Sequence, residues 1–160
     1  MTGWAEGPFL GLDTETTGVT PAVDRIVTAA LVHRDRSGTR VRAWLLDPGV
    51  PIPDAASAIH GVTTERVRRE GRRPAEALAE IAGIVAEATR AAVPLVAFNA
   101  AFDLTVLEAE LVRHGLPGLR AHLGRPVGPV LDPLVLDRAL ERHRPGTRRL
   151  VDLCARYGLV

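Results

Sequence analysis

The chain has 160 residues, 46% of them hydrophobic and 24% charged, with a formal net charge of +1. That length and balance suit one soluble domain with a real core, and the near-zero charge gives no bulk nucleic-acid signature. There is no apolar run of the roughly 18 residues a membrane span needs, no secretory leader pattern, and a single cysteine, Cys154, so the expected compartment is the cytoplasm and no membrane is expected as a partner. Lys is absent, so every basic residue counted in the net charge is Arg.

Taken in order, residues 1–8 read as a loose lead-in. Phe9 to Glu15 reads as a first strand and Ile26 to Val32 as a buried second strand. Arg36-Ser37-Gly38 is a turn signal, and Arg40 to Leu46 alternates so that Val41, Ala43 and Leu45 share the expected inward face. Asp54 is the expected cap of a short helix stopped by Gly61, and Thr63 caps another. Pro74 opens a long amphipathic helix with Ala77, Ile81, Ile84, Val85 and Ala88 on one stripe. Pro94 to Phe98 is a buried strand, followed by a helix to about His114 with Leu104, Leu107 and Leu111 inside. Leu116 to Gly128 reads as irregular, Val130 to Asp132 as a last strand, and Pro133 as the start of a helix to about His143. Thr147 is the expected cap of the final helix, in which Leu150, Leu153, Cys154 and Tyr157 share a face. Trp4 and Trp44 are expected to pack, Asp132 to cap its helix, and the clusters at Arg66–Arg73 and Arg138–Arg149 to form either solvated faces or phosphate-binding surfaces.

The chemistry concentrates in Asp13-Thr14-Glu15-Thr16-Thr17-Gly18. In a strand, residues i and i+2 point to the same face, which sets Asp13 and Glu15 about 6.5–7 Å apart along the chain. At an effective dielectric near 20 such charges repel by about 2 kcal/mol, so the pair wants a proton or a cation. Asp103, at the start of the helix after the Phe98 strand, can join them if the two strands share a mixed sheet. Hard carboxylates without a Cys/His cluster suit Mg²⁺ or Mn²⁺ and not zinc. Two such ions about 4 Å apart can activate water and stabilise the leaving oxygen of a phosphodiester.

These segments resemble a known family. Asp13 to Gly18 resembles the first motif of the DEDD exonuclease superfamily; Ile59-His60-Gly61-Val62-Thr63 and Asn99-Ala100-Ala101-Phe102-Asp103 resemble segments of its histidine branch, around the proofreading epsilon subunit of bacterial DNA polymerase III. Asp132 to Leu136 and Leu150 to Gly158 resemble the approach to its third motif. The resemblance implies an α/β fold, an RNase H-like mixed five-stranded sheet flanked by helices, and metal-dependent 3′→5′ release of nucleoside monophosphates from DNA ends. It implies Asp13, Glu15 and Asp103 as catalytic metal ligands for two Mg²⁺ or Mn²⁺ ions. Thr14, Thr16, Thr17, His60, Asn99 and Phe102 become substrate contacts, with single-stranded DNA or a DNA 3′ end, and a DNA polymerase, as partners.

Two departures follow. Phe98 stands where the family often has His before the Asn of the second motif. The third motif, His-x-x-x-x-Asp, supplies a general base and a fourth carboxylate in the family, and no His among these 160 residues is followed by Asp at that spacing. The expectation is therefore a single exonuclease-like domain spanning 1–160 that stops before this motif and lacks the fold's C-terminal helix, with little or no activity. The alternatives are an RNA-directed 3′→5′ exonuclease and a non-catalytic, nucleic-acid-binding or polymerase-associated module.

Overall fold

The acid-bearing strand β1 (Phe9–Thr16) lies in the middle of a five-stranded sheet. β2 (Ile26–Asp35) pairs with it antiparallel on one side, and β3 (Gly38–Leu45) closes a hairpin with β2. On the other side β4 (Leu95–Val96) and β5 (Val130–Leu131) run parallel to it, giving the order β3-β2-β1-β4-β5. The computed structural model describes residues 6–159; Trp4 lies outside them. The expected mixed sheet is present, although β4 is far shorter than the Pro94–Phe98 run.

The helices are α1 (Asp54–His60), α2 (Thr64–Glu70), α3 (Pro74–Arg90), α4 (Ala100–Arg113), α5 (Leu119–Leu123), α6 (Pro133–Leu140) and α7 (Leu150–Arg156). α3 starts with Pro74 in its first turn, where the missing N–H costs nothing, and buries Ala77, Leu78, Ile81 and Val85. α4 buries Val106, Leu107 and Leu111. Both helices press on one face of the sheet, where Leu10, Leu12, Ala29 and Leu31 form the floor of the main core. Burying one such Leu or Ile contributes about 1.5–3 kcal/mol, which holds α3 and α4 against the sheet. A smaller cluster of Val27, Ile52, Ala56, Val62 and Val67 seats α1 and α2.

Several local expectations change. The inward residue of β3 is Trp44, not Val41 and Ala43, which are exposed. Glu80 on α3 decides this: its carboxylate accepts from Trp44 Nε1 at 2.9 Å and from Arg42 at 3.3 Å, and the Arg42 guanidinium lies 5.0 Å from the indole centroid. The hydrogen bonds from Arg72 and then Trp44 hold the Glu80 carboxyl down at about 2. Pro53, not Asp54, is the N-cap of α1, and no side chain caps it. Thr63 does cap α2, accepting from Arg66 N–H. Leu104 is only partly buried, because the stripe of α4 runs through Val106 and Glu110 instead. The region expected to be irregular holds the short α5.

Both arginine clusters are partly neutralised by acids. Arg66 and Arg69 pair with Glu70, and Arg72 with Glu80. In the second cluster the buried Asp137 carboxylate of α6 accepts from Arg144 at 3.0 Å, Arg148 at 2.7 Å and Tyr157 at 3.2 Å. Burial pushes the Asp137 carboxyl up, but the hydrogen bonds from Arg148 and Arg144 outweigh it and hold the group below its ordinary value. This staple ties α7 to α6. Thr147 is not the cap of α7; its hydroxyl donates to Asp152, and Arg149 occupies the cap position. Leu153 is the buried residue of α7, while Leu150 and Tyr157 are half exposed.

Candidate active site

β1 carries its acids on the face opposite Leu10 and Leu12. Register places Asp13 beside Ala30 and Glu15 beside Thr28, and a bulge follows between Glu15 and Thr16. Asp13 is exposed and Glu15 is half-buried. Burial, then the Asp13 charge, raise the Glu15 carboxyl above its ordinary value, and the nearby His60 pulls it partly back. The two acids therefore face each other as the strand spacing requires.

Asp103 reaches the same strand end from α4. β4 stops pairing with β1 at Gly11, so three residues later the edge of β1 is open to another acceptor. Asp103 Oδ1 fills it, accepting from Thr14 N–H at 3.0 Å and from Thr14 Oγ1 at 2.7 Å. With only 5% of its surface exposed, Asp103 is pushed up to about 6, first by burial; the Thr14 hydrogen bond opposes this, and the Asp13 charge adds to it. Asp13 thus repels both Glu15 and Asp103 around one strand end, where the charged donors are carboxylate oxygens. That donor chemistry suits a divalent cation of the Mg²⁺ or Mn²⁺ kind. As they stand, no three His, Cys, Asp or Glu side chains among the described residues close into a chelate. Asp13, Glu15 and Asp103 are the groups that would hold such an ion.

The other expected site residues divide into two sets. The hydroxyls of the three threonines are engaged within the chain: Thr14 on Asp103, Thr16 on the Gly18 carbonyl at 2.5 Å, and Thr17 on Asp24 at 3.0 Å. Gly18 makes that loop possible, since a Cβ there would sit 2.6 Å from both Asp24 carboxylate oxygens. His60, the last residue of α1, accepts from Val62 N–H through Nδ1, while its Nε2 is buried without a partner. Asn99 takes a left-handed conformation, φ 61° and ψ 46°, at the sharp corner where β4 passes into α4. Phe102 is partly buried against the main core beside Asp103. Phe98 lines a cavity of about 310 Å³ that also touches Asp13, Pro133 and Leu150.

Sequence reading missed three features. Val19 and Ile59 are 86% and 83% exposed, apolar, and next in sequence to Gly18 and His60. Asp132 does cap α6, accepting from Leu134 N–H at 2.9 Å, but it also accepts from Asn99 and Ala100 N–H, both at 3.0 Å. Glu110, fully buried in α4, accepts from Ile26 N–H and pairs with Arg113, which donates to the Ala22 carbonyl. These contacts tie α4 to the loop after β1. Exposed apolar neighbours of a motif are the only one of the three signals visible in one dimension; the other two need partners 32 to 91 residues away. An open groove of about 960 Å³ runs along the outer side of α4 past Leu104 and Val112 and contains none of the three acids. No helix among the described residues is long and apolar enough to cross a membrane.

Comparisons with known proteins agree with this geometry. Residues 10–160 match the exonuclease family model RNase_T. The chain is 38% identical over 103 residues to a DNA polymerase III subunit epsilon-like protein of Rhodobacter capsulatus, covering 62% of this chain and 14% of that protein. It is 36% identical over 104 residues to DNA polymerase III subunit epsilon of Treponema pallidum, covering 64% of this chain and 46% of that one. The chain thus spans less than half the length of these relatives. Among solved structures, E. coli Exonuclease I in complex with a dT13 oligonucleotide superposes with a TM-score of 0.68 at 24% identity, over 88% of this chain and 31% of that one, which is a likeness of fold. A sheet ordered β3-β2-β1-β4-β5 with acids at the end of its central strand, matched by that family model over nearly the whole chain, places this protein in the exonuclease family of the DEDD superfamily of 3′→5′ exonucleases.

Proposed function

We propose that this domain hydrolyses the terminal phosphodiester of DNA from the 3′ end, releasing nucleoside monophosphates, with Asp13, Glu15 and Asp103 holding two hard divalent cations. The observation that carries this reading is the convergence of Glu15 and Asp103 on Asp13 at one strand end, where burial first and the Asp13 charge second raise both carboxyls, so the site gains when positive charge enters. Bound, the ions would activate water and stabilise the leaving oxygen. The chain's own residues would do the positioning. Val19 and Ile59 offer apolar surface to the terminal bases, and His60, whose charge acts on Glu15, would flank the last nucleotide. Phe102 and the corner at Asn99 would shape the floor under the last nucleotide, and backbone at Thr14, Thr16 and Thr17 would line its edge. The histidine branch of the superfamily and a polymerase partner belong to the same reading, supported by the similarity to polymerase III epsilon subunits, and so does a single-stranded DNA substrate, supported by the likeness to Exonuclease I in complex with a dT13 oligonucleotide.

A second reading is favoured by one observation: no His-x-x-x-x-Asp occurs in these residues. Without that base and fourth carboxylate, the domain would bind a 3′ end and cleave it slowly or not at all.

A single-turnover assay separates the two. With excess protein, Mn²⁺ and a 5′-labelled single-stranded oligonucleotide, the first reading expects a ladder shortening from the 3′ end. Asp13→Ala and Glu15→Ala should each slow it at least about a hundred-fold, the loss of several kcal/mol of metal-assisted stabilisation. Binding without shortening supports the second reading. A ladder that survives Asp13→Ala at the original rate removes the metal assignment. Faster shortening of an RNA oligonucleotide moves the substrate to RNA.

A further inference from the structure

The helix that carries Asp103 has no cap of its own. Asn99 sits at its N-cap position, but its side chain makes no capping bond, and its left-handed backbone turns the chain sharply out of β4. A helix start leaves its first N–H groups without partners inside the helix. Here they are satisfied from another element: Asp132 Oδ1 accepts from Asn99 N–H and Oδ2 from Ala100 N–H, each at 3.0 Å. The same Oδ1 accepts from Leu134 N–H at 2.9 Å, where Asp132 is the N-cap of α6. One carboxylate thus joins two helix starts, and the two positive helix ends both favour its charge.

We infer that Asp132 is a positioning residue: by clamping the first turn of α4 it sets the rotation at which Asp103, one turn further on, meets Thr14. Apolar packing at this start comes from the small Ala100 and the partly buried Phe102, while the buried stripe of Val106, Leu107, Glu110 and Leu111 anchors the later turns, so the directional contacts of the first turn are those to Asp132. The Thr14–Asp103 contacts are short and directional, at 2.7 and 3.0 Å, so a small rotation of the first turn breaks them. Neutralising Asp132 by Asn leaves one acceptor oxygen and turns an amide NH₂ toward a backbone N–H that needs an acceptor. The inference rests on the reading of Asp103 as an acid that holds a divalent cation.

The test uses the whole chain in three variants: Asp132→Asn, Asp132→Ala, and Thr63→Ala, which removes the cap of α2 and none of the contacts of α4. Two quantities are read on folded protein. The first is the amide proton resonance of Thr14 without metal, which reports its bond to Asp103. The second is the Mn²⁺ dissociation constant, from the free-ion paramagnetic resonance signal. Asp132→Ala should shift the Thr14 resonance upfield and weaken Mn²⁺ binding by about ten-fold, the scale expected when a group supporting a metal ligand is lost. Asp132→Asn should fall between that variant and the original protein, and Thr63→Ala should move neither quantity. If Asp132→Ala does not fold, the Asn variant decides. A Thr14 resonance and an Mn²⁺ affinity both unchanged in either folded Asp132 variant overturn the clamp. If the original protein binds no Mn²⁺ the metal reading falls, and the Thr14 resonance alone then decides whether Asp132 sets the helix.

Discussion

Asp103→Asn should make the metal-free protein more stable at pH 8 while weakening its hold on a divalent cation. Asp103 is buried, faces the Asp13 charge, and titrates at about 6 in the folded chain against an ordinary 3.8. A carboxyl raised in this way binds its proton more tightly when folded than when unfolded. Its contribution is therefore fully present below about pH 4 and is lost as the pH rises through 6. At neutral pH and above, the native state carries a charge it would prefer to shed. The gap is worth up to about 3 kcal/mol, and screening by solvent at the strand end reduces it to roughly 1–2 kcal/mol. Asn matches the neutral acid in shape and keeps an oxygen for the Thr14 N–H and hydroxyl. Chemical denaturation in a chelator should therefore show the variant ahead at pH 8 and level with the original near pH 4. A variant that is less stable at both pH values would mean that Asp103 stays ionised in the folded chain down to pH 4 and that the Thr14 contacts rest on its charge. Mn²⁺ should then stabilise the original protein and not the variant, since only a ligand of the native state shifts the equilibrium.

Gly71→Ala should destabilise the protein by about 2–3 kcal/mol, the upper part of the overpacking range. A Cβ at Gly71 would sit 2.4 Å from the Val67 carbonyl oxygen, 2.6 Å from Asp47 N and 2.9 Å from the Leu46 carbonyl carbon. All three are backbone atoms, so no side chain can swing aside. Relief requires parting the segments that Asp47 N–H to Arg72 O and Arg72 N–H to Leu45 O hold together. That crossing ties the end of β3 to the start of α3, and with it α2 to the sheet. Gly83→Ala is the natural contrast. It lies inside α3, where a new Cβ meets nothing within 4 Å, and should stabilise by about 0.5–1 kcal/mol through helix propensity alone. Denaturation midpoints for the pair test whether close backbone approach or glycine content governs. Equal effects would show that the crossing opens without cost.

The acid strand was legible in one dimension because its signal is local. Period-two alternation alone places Asp13 and Glu15 on one face, and the structure keeps them there. The same holds for Thr63 and Pro74, whose capping and N1 roles depend on the next few residues only. The inward face of β3 was not legible. Val41 and Ala43 look like the apolar side, but Glu80 on a helix 36 residues from Trp44 draws the opposite face inward. Apolar pattern loses there to a buried indole whose N–H finds an acceptor.

Charge was the least readable quantity. Two arginine clusters suggest basic surfaces in the sequence, yet Glu70, Glu80 and Asp137 consume much of their charge. Ion pairing depends on distances between side chains far apart in sequence, which a linear pattern does not encode.

Which residue types sit at the end of the central strand, and in what spacing, was settled by the order of amino acids, since alternation along a strand needs no partner. How Asp103 meets them was decided only in three dimensions. β4 ends early, Asn99 turns the chain, and Asp132 arrives from a separate element to hold α4 where its acid can reach Thr14. Each of those steps satisfies a backbone group that the preceding element left open, and that accounting closes only when all the elements are packed.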